Sequence, residues 1–253
     1  MHVLRGVVMM NKSESLKCKN AVITGASSGI GRAIALRLAE DKINLALCGR
    51  NVERLHSVQN EAELHGVKTI LLPGDLEDVD YLSSCIEKAA DFFGGLDILI
   101  NNAGTAYNCS VEETTPEQFD SIMRVNVRAP FLLCQAALKW LRKSDCATII
   151  NISSVVSYKG YPNQSAYVAS KHAISGFTKS LANEVFRDGI RAHIISPGGV
   201  YTDMITTMRP DLSPDGMIMP SDIAEIAAFL IKHRSNAVID EIRVRREGKE
   251  PFA

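Results

Sequence analysis

Tyr167 and Lys171 stand four apart in the stretch Asn163-Gln-Ser-Ala-Tyr167-Val-Ala-Ser-Lys171-His-Ala-Ile-Ser-Gly-Phe-Thr-Lys179, whose spacing predicts one long helix. An i, i+4 pair shares a helix face. An ordinary tyrosine, with a pKa of about 10, is too weak an acid for proton exchange at neutral pH. A neighbouring ammonium favours the phenolate and is expected to bring that value down, which would make the pair an acid–base unit. A solvated pair on a surface helix has the same spacing. Ser154 follows the apolar run Thr148–Ile152; a hydroxyl there can donate to a substrate carbonyl, or Ser153, Ser154 and Ser157 can simply form a turn. Asn101-Asn102-Ala103-Gly104 closes another apolar run, and Asn126 lies in the helical stretch that follows.

Near the start, Thr24-Gly25-Ala26-Ser27-Ser28-Gly29-Ile30-Gly31 joins a short apolar run to a helix beginning near Arg32. Small residues there let the backbone approach a pyrophosphate, which the free N–H groups and dipole of a helix N-terminus attract. The spacing is not G-x-G-x-x-G. It does satisfy G-x-S-x-G through Gly25, Ser27 and Gly29, the pattern of a hydrolase nucleophile elbow. Such an elbow needs an earlier strand and loop for half of its oxyanion hole, and only one strand precedes this one.

The elements that must position these residues read as alternating strand and helix. Apolar runs at Ala21–Thr24, Leu45–Cys48, Thr69–Leu72, Leu96–Ile100, Thr148–Ile152, Ala192–Ile195 and Glu241–Val244 lack strict alternation, as expected of strands buried on both faces. Helical periodicity links them, as in Ile30, Ile34, Leu38 and in Ile223, Ile226, Leu230. The expectation is a single α/β domain: a doubly wound parallel sheet of about seven strands, helices on both faces, right-handed crossovers and a ligand site at the carboxyl ends of the strands. Every polar motif above falls on that edge.

Composition narrows the class. At 253 residues with 46% hydrophobic and 23% charged side chains, the chain can bury one large core. Lys plus Arg number 28 against 29 Asp plus Glu, so no global positive field draws it to nucleic acid or to an anionic membrane. No apolar run approaches the roughly 20 residues that span a bilayer. The cysteines at 18, 48, 85, 109, 134 and 146 form no C-x-x-C pair and stand at no zinc-ligand spacing; no metal site is expected, and a reducing, cytoplasmic setting is. Residues 1–17 read as a leader outside the fold, with Met9 or Met10 as alternative starts, and 18–253 as the domain.

Taken in order, Thr24-Gly25-x-x-x-Gly29-Ile30-Gly31, Asn101-Asn102-Ala103-Gly104, Asn126, Ser154, Tyr167-x-x-x-Lys171 and Pro197-Gly198 resemble the motif set of the short-chain dehydrogenase/reductase family over residues 18–245. The resemblance implies a Rossmann-like fold and a nicotinamide-dependent oxidoreductase. By that analogy Tyr167 is the general acid for carbonyl reduction, and Lys171 holds the nicotinamide ribose and lowers the tyrosine pKa. Ser154 orients the substrate oxygen, and Asn126 holds a water in a proton relay. The dinucleotide would be bound by Gly25, Ser27, Ser28, Gly29, Ile30 and Gly31, by Asp75 and Leu76 at the adenine, by Asn102 and Gly104, by Tyr167 and Lys171, and by Gly198, Val200 and Thr202. Asp75 could instead be only a helix cap.

Two departures from the family pattern matter. Where NAD-preferring relatives carry an acid, this chain has Gly49, followed by Arg50; an arginine there suits a 2′-phosphate, so NADP(H) is expected over NAD, unless Arg50 is merely a solvated loop residue. The tail Glu241–Gly248 runs into Lys249-Glu-Pro-Phe252 in place of an Asp-Gly-Gly turn, and reads as a half-exposed strand. The loop from Asp203 to Met219, with Met204, Ile205, Met208, Met217, Ile218 and Met219, suits an adaptable apolar lid or ordinary packing. The expected protein is a homodimeric or homotetrameric NADPH-dependent carbonyl reductase acting on a small molecule. The alternative is a catalytically silent dinucleotide-binding regulator on the same fold.

Overall fold

Residues 19–208 and 213–251 are described in the computed structural model; the leader and Cys18 lie outside them. Seven strands, β1 (Asn20–Thr24), β2 (Asn44–Gly49), β3 (Thr69–Pro73), β4 (Ile98–Asn101), β5 (Thr148–Ile152), β6 (Arg191–Pro197) and β7 (Glu241–Val244), form one sheet in the order β3-β2-β1-β4-β5-β6-β7. Every pairing is parallel. The order reverses at β1, which sits between β2 and β4, and ligands of open parallel sheets bind beyond such a switch point.

Both faces are covered, which is why the strands read as unbroken apolar runs. Successive side chains point to opposite faces. Ala21, Ile23, Leu45, Leu47, Ile98 and Ile100 pack on one side with Ile34 and Leu38 of α1 (Gly29–Glu40), Leu55 of α2 (Val52–Glu63) and Ile223 of α8 (Pro220–Lys232). Val22, Ala46, Leu99 and Ile149 pack on the other with Leu82 of α3 (Val79–Phe93), Leu133 of α5 (Ala129–Leu141) and Leu181 of α6 (Ser165–Val185). Each fully buried Leu or Ile contributes about 1.5–3 kcal/mol. The two remaining helices, α4 (Pro116–Met123) and α7 (Asp203–Met208), stand near the carboxyl edge.

Helix ends are set by local chemistry. Asn51 and Asp78 cap α2 and α3 by accepting from backbone N–H groups, and Thr115 with Gln118 forms a capping box before α4. Asp75, the residue that could have been a cap, instead closes a turn by accepting from the Glu77 N–H at 3.0 Å; the cap itself is Asp78. The helix that carries Tyr167 and Lys171 starts at Ser165 and runs on to Val185, longer than its predicted segment. Asn126 does not lie in regular helix. It is the centre of a π turn, Arg124–Arg128, between α4 and α5.

Candidate active site

A cleft of about 830 Å³ follows the carboxyl edge of the sheet. Its floor is built by buried polar side chains that lash the strand ends together. Thr24, at the end of β1, accepts from the Asn102 and Ala103 N–H groups at 3.0 and 3.1 Å. Asn102 Nδ2 donates back to the carbonyls of Thr24 and Gly25 at 2.9 and 3.3 Å. One layer below, Asn101 Nδ2 donates to Asn151 Oδ1 at 2.8 Å, and Asn151 Nδ2 donates to Thr178 Oγ1 at 2.7 Å, tying β4 to β5 and β5 to α6. Asn101 Oδ1 is left without a partner among the described residues, but the two amide-donated bonds still fix geometry, here the height of α6 over β5.

Of the residues predicted to hold a dinucleotide, Gly25, Ser27, Ser28, Gly29, Ile30, Arg50, Asp75, Leu76, Asn102, Gly104, Tyr167, Lys171, Gly198, Val200 and Thr202 all line this cleft. Gly31 does not. It is buried at the first turn of α1, where a Cβ would come within 2.2 Å of the Gly25 carbonyl oxygen and 2.4 Å of Asn102 Nδ2. Its smallness lets helix and loop touch. Asn102 lines the cleft, but its amide is committed to the glycine loop and so positions that loop. Gly31→Ala is therefore expected to displace the loop: dinucleotide affinity, read by calorimetric titration, should fall at least about tenfold, with a lower Tm.

The loop suits a pyrophosphate on structural grounds. Gly25 and Gly29 have φ of +66° and +53°, the left-handed region that glycine enters freely. Ser28 occupies the N-cap of α1 without a side-chain cap, so the first-turn N–H groups are left for an anion. The hydrolase reading finds no support, because no histidine lines the cleft to activate Ser27 among the described residues.

Tyr167, Lys171 and Ser154 meet at the other end. Lys171 is 5% exposed; its Nζ donates to the Ile152 carbonyl at 2.9 Å and lies 5.7 Å from the Tyr167 ring centre. Ser154 caps a 3₁₀ turn, Val155–Ser157, just beyond β5. Ser153 steadies the helix from below through Ser175 Oγ at 3.0 Å. Burial pushes the Tyr167 phenol up to about 12, with the Ser154 hydroxyl opposing it, and burial pushes the Lys171 amine down to about 8. This direction runs against the lowering expected from the lysine neighbour. Spacing along a helix says nothing of solvent: burial sets the direction, and the Lys171 charge is not among the causes.

Asn126 sits beneath the cleft, 2% exposed. Its Oδ1 accepts from the Thr105 N–H at 2.8 Å, and its Nδ2 donates to the Thr105 carbonyl at 2.9 Å and to Ser170 Oγ at 3.0 Å. Both amide hydrogens are spent, so the side chain cannot donate to a relay water as well. The position four residues on, which would donate to the Asn126 backbone carbonyl in an α-helix, is proline, and the turn runs instead in i+5 register, as where the Ala129 N–H donates to the Arg124 carbonyl.

Several lining residues were not read from the sequence. Asn51 and Glu77 line the cleft near Arg50 and Asp75, and Tyr161, Gln164 and Arg246 line it elsewhere. Glu77 is tied to Ser121, Arg124 and, through its carbonyl, Arg128 at 2.6–2.7 Å; the Ser121 hydroxyl and then the Arg124 guanidinium hold its carboxyl below the usual range. Met204, Ile205 and Met217 of the methionine-rich loop line the cleft, whereas Ile218 is buried and pairs with Val200. Residues 209–212 and the Met208 side chain lie outside the described residues. Asp97, Asp145 and Cys146 gather at the amino edge of the sheet, where Lys19 pairs with both carboxylates.

Residues 19–213 match the family model described as short chain dehydrogenase. This chain is a member of the short-chain dehydrogenase/reductase family. An uncharacterized oxidoreductase of Staphylococcus aureus (strain MW2) is 34% identical over 90% of this chain and 96% of its own length. A 3-oxoacyl-(acyl-carrier-protein) reductase of S. aureus (strain Mu50) is 32% identical over 87% and 93%. Among solved structures, an alcohol dehydrogenase from the archaeon Thermococcus sibiricus, complexed with 5-hydroxy-NADP, superposes with a TM-score of 0.85 at 30% identity over 93% of this chain and 99% of that one. The family member is thus an oxidoreductase on a Rossmann-like sheet, and no helix among the described residues is long and apolar enough to cross a membrane.

Proposed function

We propose that the protein reduces a carbonyl group on a small to medium-sized molecule, using NADPH. The observation that carries the reading is the convergence of Ser154, Tyr167 and Lys171 at one end of a cleft whose other end is a glycine-rich helix N-terminus. The glycine loop and the N-terminus of α1 would hold the pyrophosphate, Asp75 and Leu76 the adenine, and Lys171, Gly198, Val200 and Thr202 the nicotinamide half. A nicotinamide dinucleotide bound there supplies hydride. The protein supplies position and the proton.

Ser154 hydrogen-bonds the substrate oxygen and aims it at the Tyr167 phenol, which donates its proton as negative charge develops. Burial keeps the phenol in the protonated form that reduction needs while making it a weaker acid, so its transfer relies on the negative charge that develops on the substrate oxygen; the reverse needs the phenolate, which burial disfavours. Reduction is therefore expected to exceed alcohol oxidation at pH 7, and oxidation to climb with pH. Asn126 would hold a relay water by its carbonyl, with its side chain fixing the turn. A panel of ketones, 3-oxoacyl thioesters and quinones, followed by NADPH absorbance at 340 nm, tests the class; loss of absorbance with none of them, under conditions where the dinucleotide binds, would favour the silent regulator.

Lys171 gives a further expected result. Its folded pKa of about 8 lies below the unfolded value, so the unfolded chain holds the extra proton between about pH 8 and 10.5 and stability contributed at this site rises with pH across that window. The difference in urea midpoint between the unmodified protein and Lys171→Met should grow in its favour over that range. A constant difference would show that the amine is not desolvated.

Assembly belongs to the same proposal. Phe131 on α5 is 48% exposed and lies 5.1 Å, centre to centre, from Phe177 on α6, an aromatic face that supports a homodimer or homotetramer. The free thiols of Cys48, Cys85, Cys109, Cys134 and Cys146 suit a reducing, cytoplasmic setting.

A further inference from the structure

Arg246 lies just past β7, in the tail that departs from the family pattern, and its side chain turns into the cleft. The backbone there is built for that. Arg245 Nη1 donates to the carbonyls of Arg246, Glu247 and Lys249 at 3.2, 2.9 and 2.8 Å, and the Lys249 N–H donates to the Arg246 carbonyl at 3.0 Å. One arginine closes the turn and the next is presented by it.

The guanidinium rests over Gly199, where a Cβ would stand 3.9 Å from Arg246 Nε and 3.4 Å from Met217 Cε. Gly199 continues β6, whose Ser196 faces Ser157 at 3.4 Å between hydroxyls, so Arg246 borders the same end of the cleft as the Ser154 turn. No carboxylate among the described residues lies within ion-pair distance of it. The acids lining the cleft are engaged elsewhere: Asp203 pairs with Arg54 at 2.5 Å, Glu77 with Arg124 at 2.6 Å, and Asp75 holds its own turn past β3. The catalytic end therefore presents cations, Lys171 and Arg246, with no compensating anion, beside the apolar walls of Met204, Ile205 and Met217.

We propose that Arg246 is a specificity residue that receives the carboxylate of the substrate, so that the preferred substrates are oxo acids. The assignment rests on the carbonyl-reductase reading. A planar guanidinium matches a carboxylate in two parallel hydrogen bonds, and a half-buried one gains where water is scarce. The anchored carboxylate leaves the carbonyl carbon free to approach Ser154 and Tyr167 along the apolar wall.

The test compares pyruvate, acetoacetate and levulinate with their methyl esters, using NADPH and the full chain, in the unmodified protein, R246Q and R246K. Expected is an acid-to-ester ratio in kcat/KM of at least about tenfold, the scale of one charge-assisted contact, which collapses towards unity in R246Q through KM for the acid and is partly restored in R246K. A ratio of unity in the unmodified protein, or one that R246Q leaves intact, overturns the assignment. Should no carbonyl compound be reduced at all, the reductase reading fails, and levulinate titrated calorimetrically into the NADP-loaded protein decides Arg246. Binding abolished by R246Q upholds it; equal binding, or none in the unmodified protein, overturns it.

Discussion

Tyr167→Phe is expected to lower turnover by about 10²–10⁴-fold, the range associated with a positioned general acid, while dinucleotide affinity and Tm change little. The phenol is the group proposed to deliver a proton to a substrate oxygen, in contact with Ser154 and close to Lys171. Lys171 Nζ is held by the Ile152 carbonyl at 2.9 Å, with its remaining donors assigned to the ribose, and Ser154 without its partner can only polarise. The phenylalanine ring keeps the packing on α6, so the loss belongs to kcat and not to binding. Steady-state kinetics beside a dinucleotide titration check this; near-normal kcat in the variant would remove Tyr167 from the chemistry. Lys171→Met should differ in kind, weakening dinucleotide binding as well, because the same amine is proposed to hold the ribose.

The carboxyl-edge geometry was legible because its determinants are local. The runs Thr148–Ile152 and Glu241–Val244 are strands with those very limits, and the glycine loop, Ser154 and the Tyr167–Lys171 pair fall on the edge that a parallel sheet dictates. What the sequence hid depends on contacts between distant segments. Gly31 read as a pyrophosphate contact because glycine spacing cannot distinguish a residue that admits a ligand from one that admits its own loop, the Gly25 carbonyl in this case. The π turn at Asn126 had a signal in Pro130, four residues on, but a proline alone does not say that the turn lies beneath a cleft. Arg246 stands 79 positions after Tyr167 in a tail that reads as a half-exposed strand; the turn closed by Arg245 brings it to the site. The tyrosine pKa went astray for a related reason, since helix spacing reports neighbours and not water.

Cofactor choice is where the smallest change should have a full reversal as its result. Arg50 lines the cleft beyond β2, exposed, and Gly49 before it faces Ser27 without a carboxylate. A 2′-phosphate there meets a planar donor and no repulsion. A hydrogen bond to a charged group is worth about 1.5–3 kcal/mol, and solvent screening at an exposed arginine favours the low end, so NADPH is expected to exceed NADH by about tenfold or somewhat more in kcat/KM. The fold tolerates the opposite arrangement: a Cβ at Gly49 would sit 3.4 Å from Ser27 Oγ and 3.5 Å from Leu55 Cδ2, both ordinary contacts. Gly49→Asp with Arg50→Ala should then place a carboxylate where a free ribose hydroxyl can donate to it and a phosphate is repelled, inverting the preference without loss of stability. Measuring kcat/KM for both dinucleotides in both proteins, with Tm as the control for folding, decides it. Equal use by the unmodified protein, or a preference for NADPH that survives the double substitution, would mean that the ribose is read by another residue of this rim, and Ser27 and Asn51 are the ones within the same wall.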